Sequence, residues 1–307
     1  MEEFAKALVQ MLKDRSESKV EVIFSEVLKV NDQKLHSINL VRSDEQISRV
    51  FYIEMYYQSY LNGESLETIV DNILNIFHDE KTKLDASSIE IVNRIGDYEA
   101  IKDKLIIKLI NRERNSEYLK DKVYMEYLDL AVCFCLVLEQ PDDMMASIVI
   151  SKALFSVWDV SVEELYEVAL ENMQTMLPAK ITSFFDILSE MYTEFDKNPF
   201  AELLNPPELP DDVGMFIISN DKKINGATTL LYKGVIRKFA EIHQAELIYI
   251  IPSSIHELIL IPGTVNTGFD VETINEMVVS VNGSEVSPME ILSDHVYVYV
   301  YDKDIIE

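Results

Sequence analysis

Apolar residues recur at three- and four-residue intervals in some segments and run together in short blocks in others, and these two rhythms divide the chain into predicted helices and strands. Phe4, Leu8, Met11 and Leu12 mark an amphipathic first helix. β-Branched residues then take over from Val20 to Val30 and from Leu35 to Val41, around an Asn31-Asp32 corner that reads as a hairpin, with a short strand at Val50–Ile53. A helix over Glu54–Leu61 stops at Asn62-Gly63, because glycine readily takes the left-handed conformation past a helix end. Ser65 opens the next helix, whose apolar stripe (Leu66, Ile69, Val70, Ile73, Leu74, Ile76 and Phe77) should pack on the hairpin.

Residues 88–101 read as helix, Leu105–Leu109 as strand and Asn111–Lys120 as a polar helix. The apolar run Val123–Leu138 reads as a strand paired with Ser147–Ile150 across the turn chemistry of Gln140-Pro141-Asp142-Asp143. Ser161 and Glu164 form a capping box that opens a helix to about Met176, closed by Pro178, and a second helix is expected over Ile181–Phe195. Four prolines between Asn198 and Asp212 forbid regular structure. A strand at Met215–Ile218, a helix at Ala227–His243, a helix at Val271–Val281 and a strand at Val296–Tyr301 follow. Between them, Leu247–Pro262 holds two apolar runs stopped by prolines around a polar corner, the pattern of two buried strands meeting at a turn. The fold class expected is α+β with mixed or antiparallel sheets and packed helices. A small amino-terminal α-β-β-α layer, 1–122, would precede a larger mixed-sheet region, 123–307, with a Pro-rich loop at 198–212. One continuous domain is the alternative.

Charge narrows the classes of function. Acidic residues number 54 against 27 basic, a formal net charge of −27, and the largest basic clusters are Arg112-Glu113-Arg114 and Lys222-Lys223. Phosphate backbones and anionic membranes repel such a chain, so direct binding of nucleic acid or membrane is not expected. The acidity serves either solubility or docking on a cationic partner. No run approaches the ~18 apolar residues that span a bilayer, and Met1-Glu2-Glu3-Phe4 lacks the basic region of a signal peptide, which predicts a cytoplasmic protein. The only cysteines, Cys133 and Cys135, share one face of a predicted strand and read as core thiols. Neither they nor the five scattered histidines have metal-ligand spacing, so no metal or cofactor is expected.

Two segments carry candidate chemistry. Ser253, Ser254, His256 and Glu257 supply the residue types of a nucleophile, base and orienting acid, but neighbours on an extended backbone point to opposite faces and no G-x-S-x-G elbow is present. Their bland reading is a serine turn with a half-buried, hydrogen-bonded histidine. Asn111 and Arg112 stand where a strand ends; Arg112 could clamp a carboxylate, or form an ordinary ion pair with Glu113 or Glu117. Asn225-Gly226 lacks the further glycines and lysine of a phosphate loop.

Tyr56 with Asn62-Gly63-Glu64-Ser65-Leu66, Leu109-Ile110-Asn111-Arg112, Leu128-Asp129-Leu130-Ala131, Trp158 to Asn172, Asn225-Gly226-Ala227 with Leu231-Tyr232, and Ile251 to Glu257 together form a recognisable set. Through them nearly the whole chain resembles a bacterial family, mainly of clostridia and related gut bacteria, catalogued as domain of unknown function 5688. From Trp158 onward it is more distantly similar to domain of unknown function 1444. The resemblance implies bacterial origin and cytosolic location, and neither family brings an assigned activity. The leading expectation is a non-enzymatic binding or regulatory protein that meets another protein through its sheet or an acidic face. One alternative is a hydrolase or ligand-binding enzyme built on the Ser254 and His256 corner. Another is a nucleic-acid mimic that occupies a basic DNA-binding protein.

Overall fold

A computed structural model describes residues 1–43, 48–79, 86–139, 145–196, 214–264 and 270–307. The chain divides into two compact units, Met1–Arg94 with Leu138–Ser147, and Ile95–Val137 with Ile148–Glu307.

In the first unit, α1 (Glu2–Arg15) leads into β1 (Val20–Leu28), which pairs antiparallel with β2 (Lys34–Arg42), and β2 with β3 (Arg49–Tyr52). Asn31 and Asp32 both take positive φ (58° and 50°), the backbone twist that suits a tight hairpin corner. α2 (Ile53–Leu61) ends at Gly63, φ 97°, and α3 (Leu66–His78) begins where the Ser65 hydroxyl accepts the Thr68 N–H. Leu8 and Leu12 of α1 and Ile73 and Phe77 of α3 are buried with Ile38 and Leu40 of β2, so the apolar stripes of both helices and one face of the sheet make one core. α4 (Ala86–Asn93) follows.

The second unit starts with α5 (Tyr98–Ile101) and β4 (Leu105–Asn111). β5 (Tyr124–Tyr127) and β6 (Leu130–Glu139) form a sheet of order β4-β6-β5, and β7 (Met145–Val149) also pairs with β6. α6 (Lys152–Phe155) and α7 (Val162–Met176) come next, the latter capped by the Ser161 hydroxyl, which accepts the Glu164 N–H at 3.1 Å. β8 (Ala179–Ser183), α8 (Phe184–Asp196), β9 (Phe216–Asn220), α9 (Val235–His243), β10 (Leu247–Ser254), β11 (Glu257–Gly263), α10 (Val271–Ser284), β12 (Tyr297–Val300) and β13 (Ile305–Ile306) complete the chain. The large sheet has the order β13-β12-β10-β11-β9-β8, antiparallel at each pairing. β10 and β11 are its centre, and they continue through Pro252 and Pro262, where the sequence pattern predicts that the runs stop; Ile248, Ile250, Leu258 and Leu260 have no solvent exposure. Each such side chain contributes about 1.5–3 kcal/mol through burial. Tyr249, Ile251 and Ile261 lie on the opposite face, packed with Val278 and Ile274 of α10.

Several elements differ from the sequence-based expectation. The polar helix expected over Asn111–Lys120 is two 3₁₀ turns, Glu113–Asn115 and Tyr118–Asp121, because the Asn111 side chain captures the Arg114 N–H and diverts the backbone. The single strand expected over Val123–Leu138 folds back on itself at Leu128-Asp129, with Leu128 at φ 54°. The helix expected from Ile181 begins only at Phe184, since Ala179–Ser183 pairs with β9. The Ala227–His243 helix is a 3₁₀ segment, Gly226–Leu231, and then α9, parted by Gly234 at φ 75°. The helix over 88–101 is broken between α4 and α5. Because β4 pairs with β6, residue 122 falls inside the second unit, whose first residue is Ile95. The turn at Gln140–Asp143 and the Pro-rich loop 198–212 lie outside the described residues.

Candidate functional site

A cavity of the second unit opens between α10 and the face of the large sheet formed by β10 and β11. It measures about 620 Å³ and is floored by Ile251, Ile259 and Ile261, with Met277, Val278 and Val281 as its wall. The few polar groups are Ser253, Asp270, Thr273 and Asn282. α10 carries more apolar residues than one face can bury: Met277, Val279 and Val281 are 62%, 53% and 50% exposed. No lysine or arginine occurs in β10, β11 or α10, and the carboxylate among the lining residues is Asp270, at the cap of α10. Asp270 caps α10, accepting the Thr273 hydroxyl at 2.6 Å and the Glu272 N–H at 3.2 Å, and these bonds hold its carboxyl below the usual carboxylate range. The groove is therefore apolar apart from Ser253, Asp270, Thr273 and Asn282, with the Asp270 carboxylate as the charged group of its lining.

The polar corner sits at the mouth of this groove. Ser253 lines it and donates to Glu257 at 3.3 Å. The Ser254 hydroxyl accepts the His256 N–H at 3.0 Å, and the Ser219 hydroxyl donates to the His256 carbonyl at 2.7 Å. The His256 ring accepts the Asn225 N–H on Nδ1 at 3.2 Å and has Glu290 3.9 Å from Nε2. An imidazole so placed has no free lone pair on Nδ1 to take a serine proton. Burial lowers the His256 pKa below its ordinary value of 6.5 and outweighs the upward pull of Glu290. The folded state thus keeps His256 neutral, while the unfolded chain takes up a proton once pH falls through 6.5. Its contribution to stability is complete above that pH and is lost on acidification toward the lower folded value. In urea titrations between about pH 8 and about pH 5, the advantage of the natural chain over His256→Asn is expected to shrink steadily. An advantage that stays constant would contradict this assignment.

A second polar cluster surrounds Asp129 at the β5–β6 turn. Its carboxylate accepts the Tyr297 hydroxyl at 2.5 Å, the Ser293 hydroxyl at 2.6 Å and the Asn111 amide at 3.4 Å. Burial, then the Asp129 hydrogen bond, pushes the Tyr297 phenol well above its ordinary range, so it remains a donor. Nearby, Arg114 donates to Asp294 at 2.5 Å and Asn282 to the same carboxylate at 2.9 Å. Burial would raise Asp294, but these bonds prevail and hold it low. A cavity of about 360 Å³ lies against this cluster, and every polar group named here already has a partner inside the fold. The cluster clasps the small sheet to β12.

Of the sequence-derived candidates, Ser253, Ser254, His256 and Glu257 are together at one corner, and Asn111 stands in the Asp129 cluster. Arg112 pairs with Glu126 across the β5–β6 hairpin, and not with Glu113 or Glu117. Cys133 and Cys135 are buried free thiols, and burial pushes the Cys133 thiol up. Among the described residues no three His, Cys, Asp or Glu side chains gather where a metal ion could sit, and no helix is long and apolar enough to cross a membrane. The groove, Asp129, Ser293 and Tyr297 escaped sequence reasoning. The surplus of valines on α10 was the one local signal for the groove.

The residues that carry the family resemblance hold the fold's joints. Trp158 donates its indole N–H to the Ile95 carbonyl at 3.0 Å, Asn172 donates to the Lys102 and Leu105 carbonyls, and Tyr232 donates to the Met173 and Leu177 carbonyls. Asn225-Gly226 closes on the polar corner, and Asn111 on Asp129. Comparison with curated proteins and with solved structures finds no match. Residues 1–301 match the model of DUF5688, and the chain belongs to that family of unknown function.

Proposed function

We propose that this chain is a non-enzymatic, cytosolic binding protein that meets another protein through the groove beside α10, taking an apolar segment flanked by basic residues. The observation that carries the reading is the groove itself: an apolar floor, exposed Met277 and Val281 on its wall, and a lining that, among the described residues, holds the Asp270 carboxylate and neither lysine nor arginine. Exposed methionine and aliphatic side chains lose water on docking and adapt to partners of varied shape. The Asp270 carboxylate and the net charge of −27 favour a cationic partner and speed its approach. The serine and histidine of the adjacent corner are engaged in backbone closure, which supports a binding role over a hydrolytic one.

The test uses two synthetic helices of equal length, one of leucine and lysine and one of leucine and glutamate, each with leucines at helical spacing. Fluorescence anisotropy should show binding of the leucine–lysine helix alone. The double change Met277→Ser with Val281→Ser is expected to weaken it about tenfold or more, about 1.4 kcal/mol, without altering charge. Ile242→Ser, an equally exposed aliphatic on α9, should leave it unchanged. Equal binding by the double variant would assign any attraction to net charge and overturn the groove.

A further inference from the structure

The first unit offers a second surface, the outer edge of β1. This strand ends its sheet, and the hydrogen bonds Lys29 N–H to Gln33 O and Ser43 N–H to Lys19 O place the odd-numbered residues against β2. The backbone groups of Val22, Phe24, Glu26 and Leu28 consequently point outward. Edge strands are ordinarily protected by charged side chains, lysine above all, by proline, a bulge, short length or a covering element. β1 has nine residues in unbroken register with neither proline, lysine nor bulge, its charges being Glu21 and Glu26 on either side of an apolar middle, while β3 at the other edge has four. Ile23 and Phe24, at its middle, are 41% and 47% exposed.

We propose that β1 pairs with β1 of a second copy of this chain, antiparallel and centred on Phe24, to build a two-fold dimer with a continuous six-stranded sheet. The self-complementary pairing of all nine residues makes a second copy the occupant, and the local placement of Glu21 and Glu26 selects the register. With Phe24 opposite itself all nine residues pair, Glu26 faces Val22 of the second copy, and Glu21 faces Val27. No carboxylate meets a carboxylate, whereas a centre at Glu26 would oppose two. Phe24 against Phe24 adds a cross-strand aromatic pair, and the symmetry makes the contact closed, so it does not propagate into fibres.

Light scattering on the separated protein should give twice the 35.3 kDa of one chain. Phe24→Pro removes only an outward N–H, leaves the β1–β2 bonds in place, and should yield the single-chain mass with an unchanged circular dichroism spectrum. Oxidised Phe24→Cys should form a disulfide-linked dimer, while Glu26→Cys, facing Val22, should not; the natural cysteines are buried and do not compete. A natural chain of single mass at all accessible concentrations, a dimer that persists in Phe24→Pro, or equal crosslinking at both positions would each overturn the proposal. Should Phe24→Pro disturb the unit, the crosslinking pair decides.

Discussion

Gly226→Ala is expected to destabilise the second unit by about 3 kcal/mol or more, among the largest effects of any single methyl group in the chain. A Cβ at Gly226 would collide with the Ser219 hydroxyl and the His256 carbonyl and come within 3.0 Å of the Ser219 Cα. Those two groups are hydrogen bonded to each other at 2.7 Å, and the Ala227 N–H bonds the Ile255 carbonyl at 3.3 Å. The crowding is mostly backbone on backbone, so relief requires moving the β10–β11 corner away from β9. Gly283 in α10 is the control, since nothing lies within 4 Å of its added Cβ. There alanine should stabilise by up to about 1 kcal/mol through helix propensity. Urea midpoints of the two variants are expected to move in opposite directions. A Gly226→Ala midpoint within error of the natural chain would show that the corner is looser than described.

Asp129→Ala is the second large effect, expected to cost about 2–4 kcal/mol. Three donors converge on this carboxylate, and Tyr297, Ser293 and Asn111 are all buried. Truncation leaves them without an acceptor, and the penalty for a buried unsatisfied donor exceeds the net gain of an ordinary hydrogen bond. Asp129→Asn should be about half as costly, because the amide oxygen still serves Tyr297 while the NH₂ faces the Ser293 and Asn111 donors. Changing Tyr297 to Phe in the Ala background should cost little further, since the orphaned hydroxyl goes with it. Additive losses in that double-mutant cycle would contradict a shared network.

How much of this was legible in the sequence depended on whether the deciding contact was local. The Asn31-Asp32 corner and the Ser65 and Ser161 caps act within a few residues of themselves, and each appears where the pattern placed it; the two late strands also meet at a turn, but they run through Pro252 and Pro262 to Ser254 and Gly263 instead of stopping at them. β8 was hidden because five residues cannot display a period, and its partner strand begins 33 residues after it ends, at Phe216 following Ser183. The Leu128 turn was hidden because a leucine at positive φ carries no turn signature and the runs on both sides are equally strand-like. The candidate sites follow the same rule. Asn111 and His256 stood out by residue type, but the Ser293 and Tyr297 donors that define the Asp129 cluster lie 164 and 168 residues from it. The Ser253–Glu257 corner illustrates the converse: catalytic residue types in a row signify tight backbone closure when each polar atom is answered by a neighbouring strand or turn.

Hydrogen exchange read by mass spectrometry, with and without the leucine–lysine helix, tests the binding account most directly. The expected footprint is slowed exchange in α10 and in β10–β11 around Ile251–Ile261, with the β4–β6–β5 sheet unaffected. Protection spread evenly over acidic surfaces, or confined to segments away from α10, would contradict the groove as the place where this protein meets its partner.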